Sequence, residues 1–288
     1  MENFNFGSVS NTQLALMLIT AVLGMAIPLM IAIIWCRKKH EPFTTVLIGA
    51  ATFMLFAIVI EKPLQALVIS LDSPVSRFVN AAPVLWGFIV GLFPGVFEET
   101  GRFVAFKTVL RKRKQNETGL SHGIGHGGFE AMFILGITYI EYFIFGLMIN
   151  NGSFTSYIAK SLGSSPSPEV TKQVTDIVTA ITTFNAGAAG LAFVDRALAV
   201  LFHIGASILV FYAANDKKKR WLYPFAIVIH TVIDGFLGLQ LAGVFTIPSW
   251  LNEVIFALEA IGVFAYAYFC HYRKAKALPV AAAEGLDH

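Results

Sequence analysis

The sequence predicts an all-α integral membrane protein, a polytopic bundle of about seven transmembrane helices. Three observations predict it. Hydrophobic residues fill 56% of the 288 positions and charged residues only 14%, against about 25% charged in an ordinary soluble domain. The apolar residues fall into runs of about 20 or more, long enough for helices to cross a hydrocarbon core of roughly 30 Å. The basic residues gather where those runs end: Arg37, Lys38 and Lys39; 111–114; 217–220; and Arg273, Lys274 and Lys276.

Spans are expected at 12–35, 46–71, 83–110, 122–149, 196–214, 221–243 and 248–270. If the short basic loops are cytoplasmic, spans one, three, five and seven all end there, with the N-terminus outside and the C-terminus inside a cell membrane. The bilayer is then the first partner, and no feature points to nucleic acid. The start, MENFNFGSVSNTQ, lacks the basic n-region of a cleavable signal peptide. Cys36 and Cys270 each adjoin a basic cluster on the reducing side, which argues for inert thiols over a disulfide.

Residues 150–173 are polar. Segment 174–194, rich in Thr, Ala and Gly, would make an eighth span, but counting it places 217–220 outside; it is expected to be a re-entrant or extracytoplasmic helical piece. The organisation expected is two N-terminal spans in 1–82, a core in 83–243 with an extracytoplasmic segment at 150–195, and a last span with a disordered cytoplasmic tail in 244–288.

Ionisable side chains inside a span cost roughly 2.5–3.5 kcal/mol each on insertion scales, so each is a functional candidate until a bland explanation is found. Span three carries Glu98, Glu99 and Arg102; span four opens with His122, His126 and Glu130; span five holds His203; span six holds His230 and Asp234. Glu98 with Arg102, His126 with Glu130 and His230 with Asp234 are i,i+4 pairs, each on one helix face. At 1.5 Å per residue, Glu99, His203 and His230 lie roughly 14–17 Å from their basic ends and share one layer. His126 and Glu130 are expected to lie shallower, near the mouth of span four. A buried network that only ties helices together is the structural alternative. Glu61, Lys62 and Pro63 are expected to kink or end span two near the outer surface, and Asp195 and Arg196 to mark the solvated outer edge of span five. Glu141 and Glu259 are deep and have no evident partner.

GIGHGG, at 123–128, fits the dinucleotide pattern G-x-G-x-x-G. That fingerprint requires a preceding strand and an acidic residue about 20 positions on in a βαβ unit. Here a basic loop precedes it and a membrane helix follows. Its glycines therefore serve close backbone approach or local unwinding. The histidine and carboxylate that remain suit hydrolysis. A carboxylate in a low-dielectric pocket can take a proton from water while histidines or backbone N–H groups hold the oxyanion. Adjacent Glu98 and Glu99 diverge by about 100° on a regular helix, so one is the base and the other positional.

The combination Glu98-Glu99-Thr100-Gly101-Arg102, Gly125-His126-Gly127-Gly128-Phe129-Glu130-Ala131, His203, and His230 with Asp234 resembles the YhfC-type family of bacterial membrane proteins, relatives of the CPBP (CAAX-protease and bacteriocin-processing) intramembrane proteases. The resemblance covers about 83–243. It implies an intramembrane endopeptidase acting on a membrane-embedded peptide or protein, with Glu98 or Glu99 activating water, His126 or His203 and His230 stabilising the oxyanion, and Asp234 standing where Asn often does. The favoured form is glutamic and needs no cofactor. The alternative is a zinc metalloprotease with His126, His203 and His230 as ligands. From a different class, a proton-coupled transporter also uses intramembrane Glu, Asp and His chains, but the inverted repeats that would support it are not evident.

Overall fold

The structure is a computed structural model that describes residues 6–162 and 168–276, all helix, turn or coil with no strand among them. The expected tail from 277 lies outside those residues. The helices are α1 (Asn11–Lys39), α2 (Phe43–Ile69), α3 (Pro74–Asn80), α4 (Pro83–Lys107), α5 (Asn116–Asn150), α6 (Phe154–Leu162), α7 (Pro168–Thr182), α8 (Ala186–Asn215), α9 (Leu222–Leu241) and α10 (Ser249–Ala275). Six are long and apolar enough to cross a membrane on their own, and α3 with α4, bent by 111° at their junction, makes a seventh if counted as one span. Every expected span has its helix. The chain is an all-α membrane protein.

Segment 174–194 is not one piece, because the chain breaks after Thr182 and resumes as α8 at Ala186. Asp195 and Arg196, expected at the edge of span five, consequently lie well inside α8, where they pair with each other at 2.7 Å. In α2 the expected break at Pro63 does not occur. The helix widens into a π turn over Met54–Glu61 and then continues. A proline cannot donate to the preceding turn and its ring clashes with the carbonyl four residues back. The widened turn accommodates both.

The chain forms two compact units, residues 1–29 with 131–196, and 30–130 with 197–288. The smaller unit closes around Met17, Ile149, Phe154 and Ile181. Asn150 ties down the start of the described chain, its Oδ1 accepting from the Val9 N–H at 2.8 Å and its Nδ2 donating to the Val9 carbonyl at 2.7 Å.

In the larger unit the core follows the last turns of α8 (Ile208, Leu209, Val210 and Phe211), flanked by Phe106, Leu120 and Leu222. The apolar window of α8 is 72% buried, against 17–33% for the other five single-helix spans, so α8 is enclosed by protein. The other helices expose apolar faces, such as Val228 and Val232 on α9, because lipid rather than water is their solvent.

Two close approaches bring the polar faces together. On α4, Gly87, Gly91 and Gly95 meet Leu239, Gly235 and Thr231 of antiparallel α9, and a Cβ at Gly87 would lie 2.7 Å from the Leu239 nitrogen. On α5, Gly125 abuts the Val46 carbonyl of α2, while Cβ atoms at Gly123 and Gly127 would lie 2.6 and 2.8 Å from Ile204 Cα and His203 Cβ of α8. Glycines at these spacings let helix backbones touch, which is how apolar helices associate in lipid. The GIGHGG stretch is therefore unbroken helix, and close approach, not unwinding, is what its glycines serve.

Gly91→Ala puts a methyl group into the Gly235 backbone, an overpacking expected to cost about 1–3 kcal/mol. Thermal unfolding of the purified protein in detergent should show a lower midpoint for this variant. An unchanged midpoint would mean that α4 and α9 do not touch there.

Candidate functional site

All nine ionisable residues singled out in spans three to six fall in the larger unit, and the structure joins them through one hub. Arg102 is fully buried on α4. Its Nη1 donates to Glu99 Oε1 at 2.5 Å, its Nε to Ser207 Oγ of α8 at 3.2 Å, and its Nη2 reaches His203 Nδ1 at 2.6 Å and Glu98 Oε2 at 3.6 Å. A guanidinium only donates, so His203 Nδ1 accepts and the ring proton sits on Nε2, which faces Glu130 of α5.

Glu98 and Glu99 diverge as adjacent helix positions must. Glu98 Oε2 accepts from His126 Nε2 of α5 at 2.9 Å and lies 4.0 Å from His203 Nδ1. Glu99 turns toward α9, where Oε1 also accepts from His230 Nδ1 at 2.7 Å. His230 Nε2 is 3.4 Å from Asp234 Oδ2, one turn farther along. The side chain of Asp234 is 38% exposed while that of Glu99 is fully buried, so this arm runs from the interior of the layer to the surface of the bundle.

His126 is not shallower than the others. α5 begins at Asn116 rather than near 122, which carries His126 deeper, to the level of Glu98 and within 5.0 Å of the His203 ring. The early start is held by Glu41, which accepts from Thr118 Oγ1 at 3.0 Å in the first turn of α5.

Two participants, Ser207 and Thr52, were not singled out. Ser207 bridges Arg102 and His122, whose Nε2 in turn lies 3.3 Å from Thr52 Oγ1 of α2. The i,i+4 spacing of His203 and Ser207 on one face was the available signal for the serine. Glu61, placed near the outer surface by the proline argument, is fully buried instead, with Lys62 at 2.9 Å. Burial follows from the uninterrupted α2, which keeps Glu61 on an inward face.

Two carboxylates, Glu98 and Glu99, thus flank one arginine, and a third, Glu130, faces the far side of the His203 ring that Arg102 engages. Glu99 Oε2 and His126 Nδ1 are among the buried polar atoms that have no hydrogen-bond partner among the described residues. Glu98, His126 and His203 each offer a ligand atom within 4.8 Å of the other two, all three residues being buried. His230 stands apart from this group because Glu99 and Asp234 engage its two nitrogens, so the expected ligand trio of three histidines is not the one that gathers.

Removing the hub should be severe. Arg102→Met leaves buried carboxylates uncompensated, an effect of about 3–5 kcal/mol. Chemical unfolding in detergent should register that loss, and a change below about 1 kcal/mol would place the guanidinium in a solvated environment instead.

A family model described as YhfC intramembrane metalloprotease matches residues 23–256. The uncharacterized membrane protein YhfC of Bacillus subtilis (strain 168) is 23% identical over 257 residues, which is 89% of this chain and 96% of that protein. No solved structure matches. The resemblance drawn from the polar motifs is therefore upheld, whereas the preference for a site without a cofactor is not: the family description names a metalloprotease, and a buried Glu-His-His group is present.

Proposed function

Because the chain belongs to the YhfC intramembrane metalloprotease family, we propose that it is an endopeptidase that cleaves membrane-embedded peptides or proteins and holds a divalent metal, zinc in the first instance, through Glu98, His126 and His203. The convergence of those three buried side chains carries the reading. Two imidazoles and one carboxylate form the donor set of many hydrolytic zinc sites. Glu130 stands behind His203 Nε2, the kind of pairing that orients a ligating imidazole. Charge is compatible with the fit as well, since the three carboxyl groups Glu98, Glu99 and Glu130 outnumber Arg102, an excess that a dication would offset in place of protons. The Arg102 bond to His203 Nδ1 is the contact that competes with a metal for that atom.

Zinc in such a site supplies Lewis-acid activation of water and of the scissile carbonyl. The chain supplies the rest. Glu99 has one oxygen clamped by Arg102 and His230, while Oε2 is buried and unpartnered. That is the arrangement of a general base, fixed at one atom and free to take a proton at the other. His230 and Arg102 hold the carboxylate in place through the proton transfer. The exposure of Asp234 at one end of this arm supports α9 as the side from which a substrate segment approaches. With the basic helix ends in the cytoplasm, the scissile bond is reached from the cytoplasmic half of the bilayer.

The test incubates detergent-purified protein with a pool of single-span membrane peptides and searches for new termini by mass spectrometry. Wild type should produce them, Glu99→Gln should slow their formation about 10²–10⁴-fold, and a chelator should abolish it until zinc is returned. Cleavage that persists through chelation would overturn the metal in favour of water activated by glutamate alone. Cleavage by Glu99→Gln at the wild-type rate would remove Glu99 as the base.

A further inference from the structure

Exposed cations at the helix ends of the larger unit have no counterion among the described residues. Arg37 and Lys38 at the end of α1, Arg111 and Lys112 after α4, and Lys217, Lys218 and Arg220 between α8 and α9 make neither an ion pair nor a side-chain hydrogen bond there. The acids nearest them in the chain are already engaged. Glu41 is buried and accepts from Thr45 and Thr118, Glu117 accepts from the Tyr272 hydroxyl at 3.2 Å, and Asp216 lies 3.8 Å from Lys219. Elsewhere pairing is the rule: Lys62, Arg77, Lys172 and Arg196 each hold a nearby carboxylate at 2.5–2.9 Å.

Contacts between helices gather these clusters at one end of the unit. Arg113 Nη2 donates to Thr44 Oγ1 at 2.7 Å, which ties the loop after α4 to the start of α2, just beyond the α1 cluster. Lys114 Nζ donates to Asn215 Oδ1 at 2.5 Å, which ties the same loop to the end of α8. The contact between Tyr272 and Glu117 brings in the end of α10. The four cations that stand over aromatic rings among the described residues belong to the same ends. They are Lys39 over Trp35, Lys107 over Phe103, Lys219 over Tyr212 and Arg273 over Phe269, at 4.6–5.9 Å from the ring centroids. Trp221, directly after the 217–220 cluster, is exposed as well. Aromatic rings with cations beside them mark the level at which a membrane helix meets the headgroups.

We propose that this end of the larger unit is a binding surface for anionic phospholipid headgroups, its unpaired cations meeting the phosphates of the adjoining leaflet. A lipid fits better than a soluble anion because the cations stand at the ends of membrane helices and at the level of the aromatic rings, where headgroups lie. Clusters of Lys and Arg directly beside a membrane helix attract anionic lipid, and the attraction fades within a Debye length. The proposal goes beyond the protease reading and uses no residue of the layer around Arg102.

Full-length protein in a neutral detergent is mixed with equal amounts of phosphatidylglycerol and phosphatidylcholine of the same acyl chains, and native mass spectrometry counts the lipids it retains. Wild type should prefer phosphatidylglycerol by about tenfold or more, and less so at high salt. Lys217→Gln with Lys218→Gln, and separately Arg111→Gln with Lys112→Gln, should each lower that preference by about fivefold or more. Lys172→Gln should leave it unchanged, because Lys172 is already paired with Asp176. Equal retention of the two lipids by wild type would overturn the proposal, as would a full wild-type preference in both double variants or the same loss in Lys172→Gln. Two competitors identify any other ligand. Inorganic phosphate that strips the phosphatidylglycerol at equal concentration would reassign the surface to a free anion, and poly-glutamate that does so would reassign it to an acidic protein.

Discussion

Arg102 places a permanent positive charge where neither water nor lipid can solvate it, and the surrounding residues answer that requirement. Taking an ion of this size out of water costs several kcal/mol even after relaxation. The guanidinium recovers that cost only by donating simultaneously to Glu99, His203 and Ser207 with Glu98 close by. Each partner is then constrained in turn. Glu99 is left with one free oxygen, His203 is fixed in the tautomer that faces Glu130, and Ser207 carries the network on to His122. A lysine could not replace the hub, because a point charge lacks the planar fork that reaches Glu99 on its own helix and His203 and Ser207 on α8 at once.

The hub exists only because backbones approach more closely than ordinary side chains permit. On the α4–α9 contact the glycines of α4 recur every four residues, and the same spacing continues to Glu99, which reaches His230 of α9. On the α5–α8 contact Gly127 lies against His203 itself. The buried polar residues of the candidate site and the glycines that bring the helices together are therefore interleaved on the same faces.

Much of this could be read in the sequence because the relevant signals are local. Run length fixes which segments cross the membrane, and i,i+4 spacing fixes which polar residues share a face; both held for α4, α5 and α9. Depth was harder, since it depends on where a helix begins. The span was expected to open near 122, but the helix reaches back to Asn116 although SHGIGHGG contains four glycines, each costing about 1 kcal/mol of helix propensity relative to alanine. Packing against α2 and α8 outweighs that penalty, and His126 is carried down to Glu98. Glu61 was misplaced for a related reason: Pro63 signals a break, but a π turn absorbs it. The gathering of Glu98 with two histidines, instead of three histidines, depends on how α9 is rotated, and no spacing within one helix reports that.

The excess of carboxylates over arginine in the buried layer must be balanced by protons or by a metal cation, and the account holds that a divalent cation does so. The most direct test is the zinc content of the purified full-length protein after equilibration with zinc and removal of the unbound metal, determined by elemental mass spectrometry beside His126→Ala. The account predicts stoichiometric zinc in the wild type and its loss in the variant. Wild-type protein that retains no more zinc than His126→Ala would contradict it.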